Sequence, residues 1–340
     1  MIKIAGKLFV CFLADTEDNH PNYLPGWKKY GTDYDIKKVM PRFEWLSYFD
    51  SLIDLFEKNG FPVTWFLRTD LCIKDRALIE FLPYLKKMKT VGIHIHTFDF
   101  DGKIWRQTQD SKKQRIIVRK SIELFKKTLG FSPLISRMGW NAMSNEIMKE
   151  LEKNKILYDC SSVPGYFSKG FFNERDNIID WKNAQITYYH PSYNDYKAIG
   201  DMDITEIPVS SIDKNHLVYN DFYSKIFNFL NKNPFNKALP FIISLVNSAN
   251  LKMHSNFNIS PNWKAEGSFS IINFYADSVR KGNNEILAGY FHPSDVLDPK
   301  TGKINLSYLS KVQKTFDFIS GLDVEIVPCS IPVAMEMINK

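Results

Sequence analysis

The chain has 340 residues, 44% of them hydrophobic and 14% aromatic, which suits one large α/β domain with a filled core and excludes a disordered or fibrous chain. Its net charge of +6 comes from scattered Lys with no basic helix or Lys/Arg block, so it reads as a solvated basic exterior and not as a nucleic-acid surface. Cys11, Cys72, Cys160 and Cys329 stand far apart with no CxxC pair, which argues against a disulfide framework and for reduced thiols in the cytoplasm.

The opening MIKIAGKLFV lacks the small-residue cleavage site of a signal peptide, and the longest later apolar stretch, ALPFIISLV at 238–246, is too short to span a bilayer. The expectation is a cytoplasmic protein without stable membrane insertion. The uncharged run 8–14 (LFVCFLA) reads as a strand buried on both faces, as in a parallel sheet. It runs straight into Asp15, Glu17 and Asp18. The C-terminal end of such a strand is where ligands and catalytic groups gather in α/β proteins. Three anions this close repel one another, so a cation is one reason for them and a solvated Asp-rich turn is the other.

A long loop over 20–35 follows. Leu46, Phe49, Ile53 and Phe56 then mark a helix face that Asn59-Gly60 ends. Residues 62–67 form a β-branched, aromatic strand, 75–88 a helix interrupted by Pro83, and 90–96 a short strand. Val118, Ile122, Phe125 and Leu129 mark the next helix, closed by Gly130. A strand over 132–136 ends at Arg137, and Asn141 or Ser144 caps a helix with Ile147, Met148 and Leu151 inward. After a strand end at 156–159, residues 161–200 read as loops over one face. Strand 204–209 resumes the rhythm. The Phe- and Asn-rich stretch 212–268, with helical runs near 222–230 and 239–251, reads as an insertion or cap. Strand 285–291, a helix with Leu306, Leu309, Val312, Phe316 and Ile319 inward, and strand 324–327 complete the chain. Such alternation predicts parallel βαβ units closed into a barrel.

Residues i and i+2 of a strand face the same way, so His94 and His96 of GIHIH present both imidazoles to one point. Two His with one or two carboxylates make a metal set suited to a hydrolytic centre that keeps room for water. Arg137, followed by Met-Gly-Trp, is placed to hold a carboxylate through a bidentate pair. His292 ends a strand in GYFHP, where Pro293 fixes it at the edge as a candidate general acid. His20 stands near enough to the acids to be a further ligand, while His216 and His254 read as surface residues.

These pieces, in this order, resemble the polysaccharide deacetylases, the NodB-like carbohydrate esterases. ADTED at 14–18 resembles the family's first motif, GIHIH at 92–96 the second, and SRMGWNAMSNEIMKELEKNKILYDCSS at 136–162 the third with the helix and strand after it. DITEIPVS at 203–210 resembles a strand that ends in Pro near the site, and GYFHP at 289–293 the last motif. Two features depart from the commonest pattern. Four residues after His94 stands Phe98 and not His, as in a divergent His-x-His branch, and Thr16 separates the first acids.

The resemblance implies an irregular (β/α)7-type barrel of parallel strands, one domain over 1–340 with a helical insertion or cap at 212–268. It implies a metal-dependent hydrolase that removes an N-acetyl group from a sugar of a cell-surface polysaccharide or its precursor. Asp15 is then the base, supported by Arg137, and His292 the general acid. Asp18 or Glu17, with His94 and His96, holds a divalent metal: zinc first, with cobalt, nickel or manganese as substitutes. Trp140, Tyr166 and Trp181 supply an apolar wall for the acetyl methyl or a sugar face, and His190 touches substrate. The partner is an N-acetylated sugar or glycan precursor, with no nucleic acid; the sequence does not identify the oligomeric state. The competing readings are a non-catalytic carbohydrate-binding relative and another metal-dependent amidohydrolase, whose barrels carry His-x-His near the first strand.

Overall fold

The computed structural model describes residues 6–16, 44–69, 76–100, 105–169, 178–212, 256–259, 265–298 and 301–340. Its centre is β1 (Lys7–Asp15), buried along almost its whole length. Around it lie β2 (Val63–Arg68), β3 (Thr90–Ile95), β6 (Ile135–Met138), β7 (Tyr158–Asp159), β10 (Thr205–Glu206), β11 (Glu285–Phe291) and β12 (Glu325–Pro328). They form one eight-stranded sheet in the order β10-β7-β6-β3-β2-β1-β11, with β12 also on β1, and every pair is parallel. The sheet curls until the chain after β10 meets β11. Ser210 N–H donates to the Ala288 carbonyl at 3.0 Å, and Ala288 N–H donates to Ser210 Oγ at 2.9 Å. The expected irregular parallel barrel is therefore present.

Two buried faces follow from strand alternation. On the outer face Leu8, Val10, Phe12 and Ala14 pack with Trp65, Leu67, Ile93 and Ile95 against the surrounding helices. Those helices include α1 (Phe49–Lys58), α2 (Arg76–Phe81), α3 (Ser111–Leu129), α4 (Asn145–Lys153), α5 (Ala265–Arg280) and α6 (Leu306–Ser320). Phe12 meets Phe56, Phe61 and Phe316 edge-on at centroid separations of 5.3, 5.4 and 5.4 Å. Truncating so packed a ring to Ala typically costs about 3–5 kcal/mol. On the inner face Phe9, Cys11 and Leu13 pack with Phe66, Ile135, Cys160, Ile207 and Ala288. Ile331, Ala334 and Met335 of α7 (Ile331–Ile338) join this inner cluster. Among the described residues no helix is long and apolar enough to cross a membrane.

Local chemistry explains the boundaries. The Asp110 side chain accepts from Lys113 N–H at 3.0 Å to start α3, and Gly130 ends it at φ 81°. Ser144, not Asn141, caps α4, its Oγ accepting from Ile147 N–H. β6 begins later than expected and contains Arg137: Pro133 has no N–H for the ladder, and the Leu134 carbonyl accepts from Leu157 and Tyr158. Two short antiparallel ribbons are present: β4 (Phe98–Phe100) with β5 (Trp105–Gln107), where no element was expected, and β8 (Phe167–Lys169) with β9 (Ile178–Asp180), in the stretch that reads as loops; three-residue strands are too short for alternation to register. Helix α7 was not expected. The helices expected at 222–230 and 239–251, Cys72, and the loop over 20–35 lie outside the described residues. Cys11, Cys160 and Cys329 are free thiols, as expected.

Candidate active site

Three inner-face rows, on β1, β6 and β11, run from apolar at the bottom of the strand to polar at the top. Asp15 continues the row Phe9, Cys11, Leu13; Arg137 follows Ile135; Tyr290 follows Ile286 and Ala288. His94 and then His96 follow Gly92, which has no room for a Cβ between Ile135 and Phe66. The parallel register sets Asp15 beside Phe66, and His94 between Arg68 and Arg137. One end of the barrel thus gathers residues that the sequence scatters from Asp15 to Tyr290. Asp15, His94, His96 and Arg137 are each 3% exposed or less.

Arg137 is the hub. Its Nε donates to Asp15 Oδ2 at 2.8 Å. Its Nη1 donates to the Cys160 carbonyl. The expected bidentate pair is therefore replaced by one bond to Asp15 and one to the backbone, because Cys160 O lies against the other arm of the guanidinium. The guanidinium carbon lies 4.5 Å from the Tyr290 ring centroid. Burial opposes the Arg137 charge, but the Asp15 carboxylate more than offsets it and holds the guanidinium above its ordinary pKa. Asn258 Nδ2 donates to Tyr290 Oη at 2.8 Å. Burial pushes the Tyr290 phenol up to about 12, so the ring remains neutral beneath the cation.

The second oxygen of Asp15 differs. Oδ1 is buried and has no hydrogen-bond partner among the described residues. His94 Nδ1 lies 3.8 Å from it. The His94 and His96 rings lie 5.0 Å apart at 79°. His96 stacks on Phe98 at 4.8 Å and 9° and meets Trp140 edge-on at 5.6 Å. Gly139 passes so close to the His96 ring that any Cβ there would overlap it. Two neighbouring imidazoles beside a buried, partnerless carboxylate oxygen fit a divalent cation chemically. The described residues contain no group of three such ligands, and Glu17 and Asp18, the acids expected to complete the set, lie outside them. His20, the further ligand considered, lies outside them as well.

Trp140 and Asn141 both take left-handed backbone at φ 55°, an unfavourable state for two successive non-glycine residues. Trp181 holds this turn: its Nε1 donates to the Asn141 carbonyl at 2.7 Å. Trp181 is fully buried, so it supports the wall carrying Trp140 instead of offering a surface of its own. Tyr166 is half-buried and packs with Val163, Val209 and Tyr290. His190 is exposed, its Nδ1 against the Met202 carbonyl at 2.9 Å in the segment between β9 and β10. His292 is half-buried and opens the turn Pro293–Val296; its ring lies 6.1 Å from that of Tyr290. Arg68 and Tyr290 escaped the sequence reading. Period-two alternation from Phe66 and from His292 would have placed both on the inner face.

No family model matches the chain, and no curated protein does. Solved structures do. A protein of Mycobacterium smegmatis described as a polysaccharide deacetylase superposes with a TM-score of 0.52 at 12% identity, over 100% of this chain and 92% of its own. A similarly described protein of Pseudomonas aeruginosa PAO1 gives a TM-score of 0.48 at 10% identity, over 98% and 90%. The barrel, its strand order and this superposition agree: the chain has the fold of the NodB-like polysaccharide deacetylases.

Proposed function

We propose that the protein is a metal-dependent hydrolase that removes an N-acetyl group from a sugar of a cell-surface polysaccharide or its precursor. The supporting observation is the asymmetry of Asp15. One oxygen is tied to Arg137 at 2.8 Å, and the other is buried without a partner beside His94. A carboxylate held on one side and open on the other is built to take a proton from a bound water.

In this reading water attacks the amide carbonyl as Asp15 Oδ1 accepts its proton. Arg137 keeps the carboxylate aimed and offsets its charge inside the barrel. The C–N bond then breaks, and His292, as imidazolium, donates a proton to the departing amine. Trp140, with Tyr166 beside Tyr290, forms an apolar wall for the acetyl methyl or a sugar face. His94 and His96, with Asp18 or Glu17, would hold a divalent ion, zinc first, which would supply Lewis acidity and a more acidic water. His190, exposed in the segment between β9 and β10, is the remaining proposed substrate contact.

The test is acetate release from N-acetylated oligosaccharides by the purified protein supplied with zinc, cobalt or nickel, alongside metal analysis. Release that depends on added metal supports the reading. Bound metal absent and no release with any ion would leave a non-catalytic carbohydrate-binding protein instead.

A further inference from the structure

Beside Arg137, on the outer face of the next two strands, lie two acids with no salt-bridge partner among the described residues. Asp159 and Glu206 are register partners on β7 and β10, so their side chains stand side by side. Both are fully buried. Asp159 uses both oxygens as acceptors: Oδ2 takes the Ser136 hydroxyl at 2.6 Å, and Oδ1 takes Ser161 N–H at 2.9 Å. Glu206 uses one, Oε1 accepting from Ser162 N–H at 2.8 Å. Its Oε2 has no donor among the described residues. Two buried carboxylates in contact with one unsatisfied oxygen make a costly arrangement, and a single proton removes the cost.

We infer that Asp159 and Glu206 share one proton, carried on Glu206 Oε2 and donated to Asp159, and that this neutral-acid–carboxylate pair positions Arg137. The asymmetry of the donors assigns the proton. Asp159 is already committed as acceptor on both oxygens, whereas Glu206, its register partner, has one oxygen, Oε2, that accepts nothing from the described residues. Burial, and then the Asp159 carboxylate, push the Glu206 carboxyl well above the usual range, against the smaller pulls of Ser162 N–H and Arg137. Among the described residues the other titratable groups that act on the pair are Cys160, Tyr189 and Tyr196, whose ionisation burial makes harder.

The link to Arg137 runs through the segment 159–162. Asp159 grips Ser136, the residue before Arg137; Ser161 Oγ accepts from Met138 N–H, the residue after it, at 2.8 Å. Between them the Cys160 carbonyl receives Arg137 Nη1. Glu206 anchors the far end at Ser162. The acid pair thus fixes the acceptor that aims the guanidinium at Asp15. These are positioning residues, and the role rests on the proposed function of Arg137 and Asp15.

Infrared spectroscopy reads the proton directly, in the wild type and in E206Q. The wild type at pH 7.5 is expected to show a protonated-carboxyl C=O band that E206Q lacks. Its absence from the wild type, or its persistence unchanged in E206Q, overturns the shared proton whether or not any variant folds poorly. In acetate release, E206Q, whose amide can donate where the acid did, is expected to keep kcat within about threefold. D159N places an NH2 against a donor whichever way its amide lies, the Ser136 hydroxyl or Ser161 N–H, and is expected to lose tenfold or more in kcat with KM changed less than twofold. Equal loss in both variants, or none in either, overturns the positioning role. A wild type that shows the band but releases no acetate leaves the proton assignment standing and overturns the proposed function, and the positioning role with it.

Discussion

Arg137 Nε and Asp15 Oδ2 lie 2.8 Å apart, joining residues 122 positions distant in the chain, while the second nitrogen arm of the same guanidinium holds the Cys160 carbonyl. A planar, forked cation can serve both acceptors at fixed angles; an ammonium cannot. R137K is expected to reduce kcat/KM for N-acetyl hydrolysis about 100-fold, roughly 2.7 kcal/mol of lost transition-state stabilisation. R137M leaves Asp15 buried with no countercharge and is expected to destabilise the fold by about 3–5 kcal/mol. Steady-state kinetics and urea unfolding measure the two effects separately.

Asp15→Asn retains an oxygen that can accept from Arg137 but removes the group that takes the proton. Turnover is expected to fall about 10²- to 10⁴-fold with the barrel intact. Metal content measured on the same preparation should equal that of the wild type. Loss of metal together with activity would mean that Asp15 is a ligand and that another acid is the base.

Gly139→Ala tests the placement of His96. The added methyl overlaps the imidazole, which is already closed in by Phe98 and Trp140, so the ring must move. Competition against a chelating dye is expected to show zinc affinity at least tenfold weaker than wild type. Unchanged affinity would remove His96 from the ligand set and leave it as an aromatic spacer.

Asp295, in the turn after His292, has its carboxyl pushed up to about 6 by burial, which outweighs the attraction of His292 and the backbone N–H beside it. A carboxyl with its folded pKa above its unfolded value binds extra protons in the native state. Its contribution is therefore favourable below the unfolded value near 3.8 and is lost as pH rises toward 6. Asp295→Asn is expected to raise Tm relative to wild type at pH 7.5 and to give no such gain at pH 4. Thermal unfolding at the two pH values measures the difference, and a gain of equal size at both would place the effect in packing and not in ionisation.

Much of this protein is legible in one dimension. The run LFVCFLA could only be a strand buried on both faces, and the structure places it at the centre of the sheet. Strand 285–291 and the helix from Leu306 to Ile319 fall where periodicity puts them, because a long regular element averages its signal over many residues. Asp15, His94 and Arg137 were legible for a related reason: each is an ionisable residue that interrupts an apolar strand near its end, and in a parallel barrel all such ends point the same way.

Other features belong to three dimensions. That Arg137 splits its bonds between Asp15 and Cys160 O depends on the stagger of β6 against β7, which the strand sequences do not encode. Trp181 looks in the sequence like any loop aromatic; in the fold it is buried and bonded to the Asn141 turn. The contact between Asp159 and Glu206 arises from the register of two-residue strands, the shortest elements in the sheet. Composition and period therefore determined which residues lie inside the barrel and at which end the chemistry stands, since hydrophobic burial acts residue by residue. The folded barrel alone decided which of those residues touch, because hydrogen bonds and charge pairs depend on ångström-scale register between strands that the chain brings together from far apart.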